Sequence, residues 1–108
     1  MLMLRPVPKN PYKKRKPTRR NRNNFSKKVR EAIYERDKGL CQECGRPGTE
    51  VHHVKFRSGG GRGVVTNGLL LCSTCHMKVH QERKLARKWQ EIYEERYGQD
   101  YYKDEWDE

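Results

Sequence analysis

Two C-x-x-C pairs, Cys41/Cys44 and Cys72/Cys75, hold every cysteine of the chain, and its four histidines all fall between positions 52 and 80. That spacing is the strongest constraint in the sequence. Each pair sits on a tight turn that can aim both sulfurs at one point, so four thiolates can close around a single tetrahedral Zn²⁺. The spacer Cys44-x27-Cys72 is longer than a compact ribbon needs and must contain a folded insert. A disulfide scaffold would also use an even number of cysteines, but no secretory apolar segment precedes these. A redox dithiol fits badly, because there are two pairs and no βαβ pattern around them. Only 32% of the residues are hydrophobic. Metal ligation is therefore expected to supply folding free energy that so thin a core cannot.

At 108 residues the chain holds at most one small domain, which excludes large enzyme architectures. Its net charge, 25 − 14 = +11, is unevenly spread: residues 1–30 contain 12 basic and no acidic side chains. The stretch RPVPKNPYKKRKPTRRNRNN, Arg5–Asn24, has four prolines and almost no apolar residues. Too little surface can be buried there to offset the entropy of ordering, so residues 1–24 are predicted to be a flexible, disordered basic arm. Lys13, Lys14, Arg15, Lys16, Arg19 and Arg20 would neutralise nucleic-acid phosphates; a solubility tail or contact with an acidic protein surface are the other readings. Met1–Leu4 is too short for a signal peptide and no apolar run approaches the ~18 residues that span a bilayer, so a cytoplasmic protein without membrane contact is expected.

Residues 25–98 are predicted to be the folded domain. Ser26 can cap a helix with Val29, Ala32 and Ile33 on one face and Gly39 at its end. Val51–Phe56 reads as a strand, Gly59–Gly63 as a loop, and Val64–Val65 as a second extended piece. Asn67–Gly68 reads as a turn before Leu69–Leu71, giving a hairpin. One helix is expected from Ser73 or Thr74 to about Tyr97, its Leu85, Trp89, Ile92 and Tyr93 stripe serving as packing surface or as a partner face. Residues 99–108 form an acidic tail, either frayed or folded against the basic arm.

A zinc with four thiolates has no open position, so any chemistry requires a second site. His76 and His80 are i, i+4 on the predicted helix and can share one cation. Adjacent strand residues point to opposite faces, so one of His52 and His53 can join that pair while the other turns toward substrate. Both could instead be strand residues that satisfy neighbouring carbonyls.

The order of these motifs, YERDKGLCQECG, Val51-His52-His53-Val54, a Gly-rich loop, T-N-G-L-L-L-C and C-x-x-C-H-x-x-x-H, resembles the zinc-braced branch of the HNH endonuclease family. The resemblance implies a small α+β fold, a ββα-metal core braced by the four-cysteine zinc site and flanked by helices. It implies metal-dependent hydrolysis of DNA, with His53 as general base, Asn67 as the family's Asn and His76 as metal ligand. His52 stands where many members have Asp, as in the colicin-type DNases, whose extra helical His matches His80. The residue chemistry agrees: imidazole can accept a proton at neutral pH, and the Asn67 amide can orient the backbone or ring of His53. It can equally be turn chemistry.

A cation on His52, His76 and His80 would act as Lewis acid, with Mn²⁺, Ni²⁺ or Zn²⁺ favoured by ligand softness and Mg²⁺ allowed. Arg57 and Arg62, flanking the Gly-rich loop, are further phosphate-contact candidates. The expected partner is DNA, bound by a monomer or weak dimer; the resemblance adds phage packaging proteins and a bacterial host cell. Two rival readings are a non-catalytic zinc-stabilised DNA-binding module and an interaction domain using the Leu85/Trp89/Tyr93 face.

Overall fold

The computed structural model describes residues 16–107. Lys13, Lys14 and Arg15 lie outside them. Ser26 caps helix α2 (Lys27–Arg36) by accepting the Val29 N–H at 3.1 Å. The helix ends where Lys38 and Gly39 take positive φ, and Ile33 carries its buried face into the domain. Part of the stretch read as a flexible arm is helical: Thr18 caps a one-turn helix α1 (Arg19–Asn23).

Strands β1 (Glu50–His53) and β2 (Gly68–Leu71) pair antiparallel, with His52 opposite Leu69 and His53 opposite Gly68. Helix α3 (Ser73–Gln81) follows and completes a ββα unit in a small α+β fold. Several details differ from the sequence reading, beginning with β1, which ends at His53 and does not reach Phe56. Asn67 and Gly68 do not make a hairpin turn: Asn67 ends a short 3₁₀ turn, Val65–Asn67, and Gly68 is the first residue of β2. A Cβ on Gly68 would collide with the Ile33 side chain, so glycine is needed there for close helix–strand approach.

The long helix is also divided, at Glu82, into α3 and α4 (Arg83–Tyr97). Cys75, Val79, position 82, Ala86, Trp89 and Tyr93 follow one 4-3-4-3-4 spacing, and every member except Glu82 is buried. A continuous helix would aim that carboxylate at the core, and the chain breaks there instead. Because Trp89 and Tyr93 lie inside, the Leu85/Trp89/Tyr93 face is core and not a partner surface.

An ion-paired hub joins the layers. Arg36 pairs with Asp37 and donates to the Val65 and Gly68 carbonyls and to Tyr93 Oη, while Asp37 accepts the Leu70 N–H. The acidic tail is folded, with Tyr101 in the core and Asp104 and Asp107 gripping Arg22 at 2.8 Å. Arg62 also pairs with Asp107. These contacts close α1 and the C-terminal segment over the loop that follows β1. Among the described residues no helix is long and apolar enough to cross a membrane.

Candidate metal centre and active-site cleft

The four cysteines converge as the spacing requires. Their sulfurs all lie within 4.8 Å of one another, with Cys44 and Cys72 Sγ 3.7 Å apart. A tetrahedron with ~2.3 Å metal–sulfur bonds has edges of ~3.8 Å. A disulfide would need ~2.05 Å. Burial opposes ionisation of Cys41, but the backbone N–H groups of Cys72, Cys44 and Glu43 outweigh it and lower the thiol to about 6. Burial and the neighbouring sulfurs push Cys75 far up. One thiolate thus forms readily and the next is penalised by the first, an imbalance that a divalent cation would offset. This cluster can hold a metal ion such as zinc.

The cysteine site also builds the helix that carries the histidines. Cys72 is the N-cap of α3, its Sγ accepting the Cys75 N–H at 3.4 Å, and one turn of helix later His76 and His80 lie on the same face. Their Nε2 atoms are 3.2 Å apart. Edges of ~3.3 Å are expected for two nitrogens on one tetrahedral ion with ~2.0–2.1 Å bonds. His52 supplies the third nitrogen from β1, and the three ligand atoms lie within 4.8 Å of one another.

His52 makes the strongest case for a cation. It is 1% exposed, and neither ring nitrogen has a hydrogen-bond partner among the described residues. An orphaned buried polar group costs about 1–3 kcal/mol, which ligation would relieve. Burial, reinforced by the neighbouring histidines, lowers His52 to about 3, so the ring stays neutral with a lone pair available. Burial and His76 also lower His80. Glu50 Oε1 accepts Nδ1–H of His76 at 2.6 Å, leaving Nε2 of that ring to point at the shared position. The sequence reading passes over Glu50, although strand alternation puts it on the same face as His52.

His53 leaves the opposite face of β1. Its ring stacks on Phe25, centroids 4.1 Å apart, and Nε2 lies 2.5 Å from the Asn23 carbonyl. Burial, with help from Arg57 and Arg30, lowers its pKa against the opposing effect of that carbonyl. A cleft of about 450 Å³ brings His53, His76 and His80 together with Arg30, Phe56 and Arg57. No residue-type pattern could have singled out Asn23, since it acts here through its backbone oxygen.

The hydrogen bonds of the Asn67 side chain go to Lys55 and Arg62 and not to His53. Fully buried, Asn67 accepts the Lys55 N–H and donates to the Lys55 and Arg62 carbonyls. It therefore fixes both ends of the loop after β1. Of the phosphate-contact candidates, Arg57 is exposed and lines the cleft, and Lys16, Arg19 and Arg20 are exposed on or before α1. Arg62 is not available: its side chain is 14% exposed and its guanidinium is held by Asp107 and Asn23. Its position next to a glycine loop looks open from sequence, but the partner is 45 residues away.

This arrangement, two strands and a helix with a histidine cleft and a cysteine knuckle, has a counterpart among known families. Residues 41–82, from the first cysteine to just past the end of α3, match the HNH endonuclease family. A similar individual protein is the type IV methyl-directed restriction enzyme EcoKMcrA of Escherichia coli (strain K12), 31% identical over 75 residues. The match covers 60% of this chain and 27% of that enzyme, so the chain spans little more than a quarter of the relative's length. These similarities support a nuclease-type function.

Proposed function

We propose that the chain is a metal-dependent DNA endonuclease in which His53 is the general base and His52, His76 and His80 hold the divalent cation, while Cys41, Cys44, Cys72 and Cys75 hold a structural Zn²⁺. The observation that carries this reading is the pairing of His53 Nε2 with the Asn23 carbonyl. A carbonyl only accepts, so Nε2 bears the proton and Nδ1 keeps the lone pair. A neutral ring in that tautomer, braced by Phe25, can take a proton from water at Nδ1. The water oxygen then bonds to phosphorus as the bond to the 3′ oxygen breaks, and solvent returns a proton to the leaving oxygen. The products are a 5′-phosphate and a 3′-hydroxyl.

When bound, the cation would supply Lewis acidity toward a phosphate oxygen and offset charge on the leaving oxygen; imidazole ligands favour Mn²⁺, Ni²⁺ or Zn²⁺ and permit Mg²⁺. Glu50 orients His76 for that role. Asn67 is a positioning residue that holds the loop carrying Arg57 against the cleft. One cleft per chain gives single-strand nicks first, with double-strand cuts arising from a second encounter or a paired chain.

The test is plasmid cleavage with added Mn²⁺, Ni²⁺ or Mg²⁺ by the parent protein and by His53→Ala. Removing a general base should reduce cleavage about 10²–10⁴-fold while helix content and DNA retention stay unchanged. Undiminished cleavage by His53→Ala would remove that residue from the mechanism. A parent protein that binds DNA but never cuts it with any of these ions would leave only a zinc-stabilised binding module.

A further inference from the structure

The cleft does not end at His80. A second cavity, about 440 Å³, continues beyond it between Phe56 and the start of α4, and Phe56 and His80 line both. Its far wall carries Arg83 and Arg87, one helical turn apart and exposed, with Gln81 and Gln90 beside them. Neither arginine is tied to a carboxylate among the described residues. Arg22, Arg36 and Arg62, by contrast, are held by aspartates.

The charge distribution sets this cavity apart. No acidic residue lines it or the cleft it joins. By contrast, Glu31 and Glu35 line the groove along α2, and Glu91, Glu94 and Glu95 line the hollow at the C-terminal end of α4. Two adjoining hollows lined by no acidic side chain among the described residues, with Arg30 and Arg57 in one and Arg83 and Arg87 in the other, suit a polyanion laid past the imidazoles. Side chains four apart on a helix lie about 5–6 Å apart at Cβ, so two guanidinium forks can grip one short stretch of backbone.

We propose that Arg83 and Arg87 form a phosphate-binding subsite for the DNA strand on the far side of the imidazole cluster from Arg57. The inference rests on the endonuclease reading for its ligand and adds a contact surface on α4, beyond the segment matched to the family. Arg83 and Arg87 work by electrostatic attraction and register, holding the strand so that the scissile phosphate meets His53 and the cation.

The experiment measures binding of a fluorescein-labelled DNA duplex of about 20 base pairs between 50 and 300 mM salt, in a His53→Ala background that prevents cleavage. Arg83→Gln/Arg87→Gln is compared with Lys28→Gln/Lys84→Gln, which removes the same charge from exposed positions outside both cavities. Losing two phosphate contacts should flatten the slope of log K against log salt by about 1–2 and weaken binding roughly tenfold at the lower salt. The lysine control should fall well short of both effects. Equal behaviour of the two double variants would overturn the subsite. Because binding is read without turnover, a parent protein that fails to cleave would refute the hydrolytic reading while leaving a flattened slope as support for the subsite.

Discussion

The two ligand clusters share α3, with Cys72 and Cys75 at its start and His76 and His80 in the turns that follow, yet they are finished differently. The cysteine cluster is made of four sulfurs from two turns, and Cys72 caps the helix as well, so the backbone of the domain depends on it. The imidazole cluster has three nitrogens, one of them on a buried ring with no other partner, and it opens on a cleft that also holds His53. The difference teaches that a closed site stabilises the scaffold, whereas an incomplete donor set is retained at some cost in stability because its open side is where a substrate can enter.

The largest effect that could break this contrast is at the cysteines. Cys72→Ser should remove one sulfur and weaken the α3 cap together; structural zinc in small domains contributes on the order of 10 kcal/mol, so circular dichroism should report loss of the cooperative fold. A folded, fully helical Cys72→Ser protein would mean that the core is self-sufficient. His52→Leu should act in the reverse sense. It removes an orphaned buried imidazole, so before metal is added to the imidazole site the melting temperature should rise by a few degrees, for roughly 1 kcal/mol, while cleavage is lost. A lower melting temperature would show that His52 supports the fold as well.

Glu50→Gln sharpens the comparison without deleting a ligand. Losing the carboxylate behind His76 should weaken metal binding at the imidazoles about 10–100-fold and leave the cysteine site unchanged, which competition with a metallochromic indicator can resolve. The smallest expected effect concerns the clasp over the loop that follows β1. Hydrogen bonding to Arg22 lowers Asp104, and hydrogen bonding to Arg62 lowers Asp107 more strongly. Both pKa values are depressed on folding, so their contribution is present above the ordinary carboxylate range and is lost as pH falls through the folded values. Asp104→Asn/Asp107→Asn should therefore lower the melting temperature by a few degrees at pH 7, and the gap to the parent protein should close in acid.

Much of the domain is legible in the sequence because its signals are local. Ser26 capping α2, the convergence of two C-x-x-C turns, and the i, i+4 pairing of His76 with His80 each follow from a few consecutive residues. Strand alternation alone separates His52 from His53. What sequence does not reveal depends on distant partners. Arg62 reads as free although Asp107 holds it, and nothing near Tyr101 in the chain announces that it enters the core. Gly68 reads as turn chemistry when its missing side chain makes room for Ile33. The break at Glu82 is hidden because the apolar spacing runs through it without a change of phase, and only burial reveals the one polar member. Asn23 contributes a backbone oxygen, which no residue code announces.

The central claim is that the chain has two separate cation sites, one essential to folding and one only to chemistry. Its most direct measurement is metal content by mass spectrometry, paired with thermal melts, for the parent protein and for His76→Ala/His80→Ala dialysed against micromolar Zn²⁺. Two ions per parent chain, one per variant chain, and a variant that melts as a cooperative fold are the predicted result. A single ion in both proteins, or a variant that loses its fold with its second ion, would contradict it.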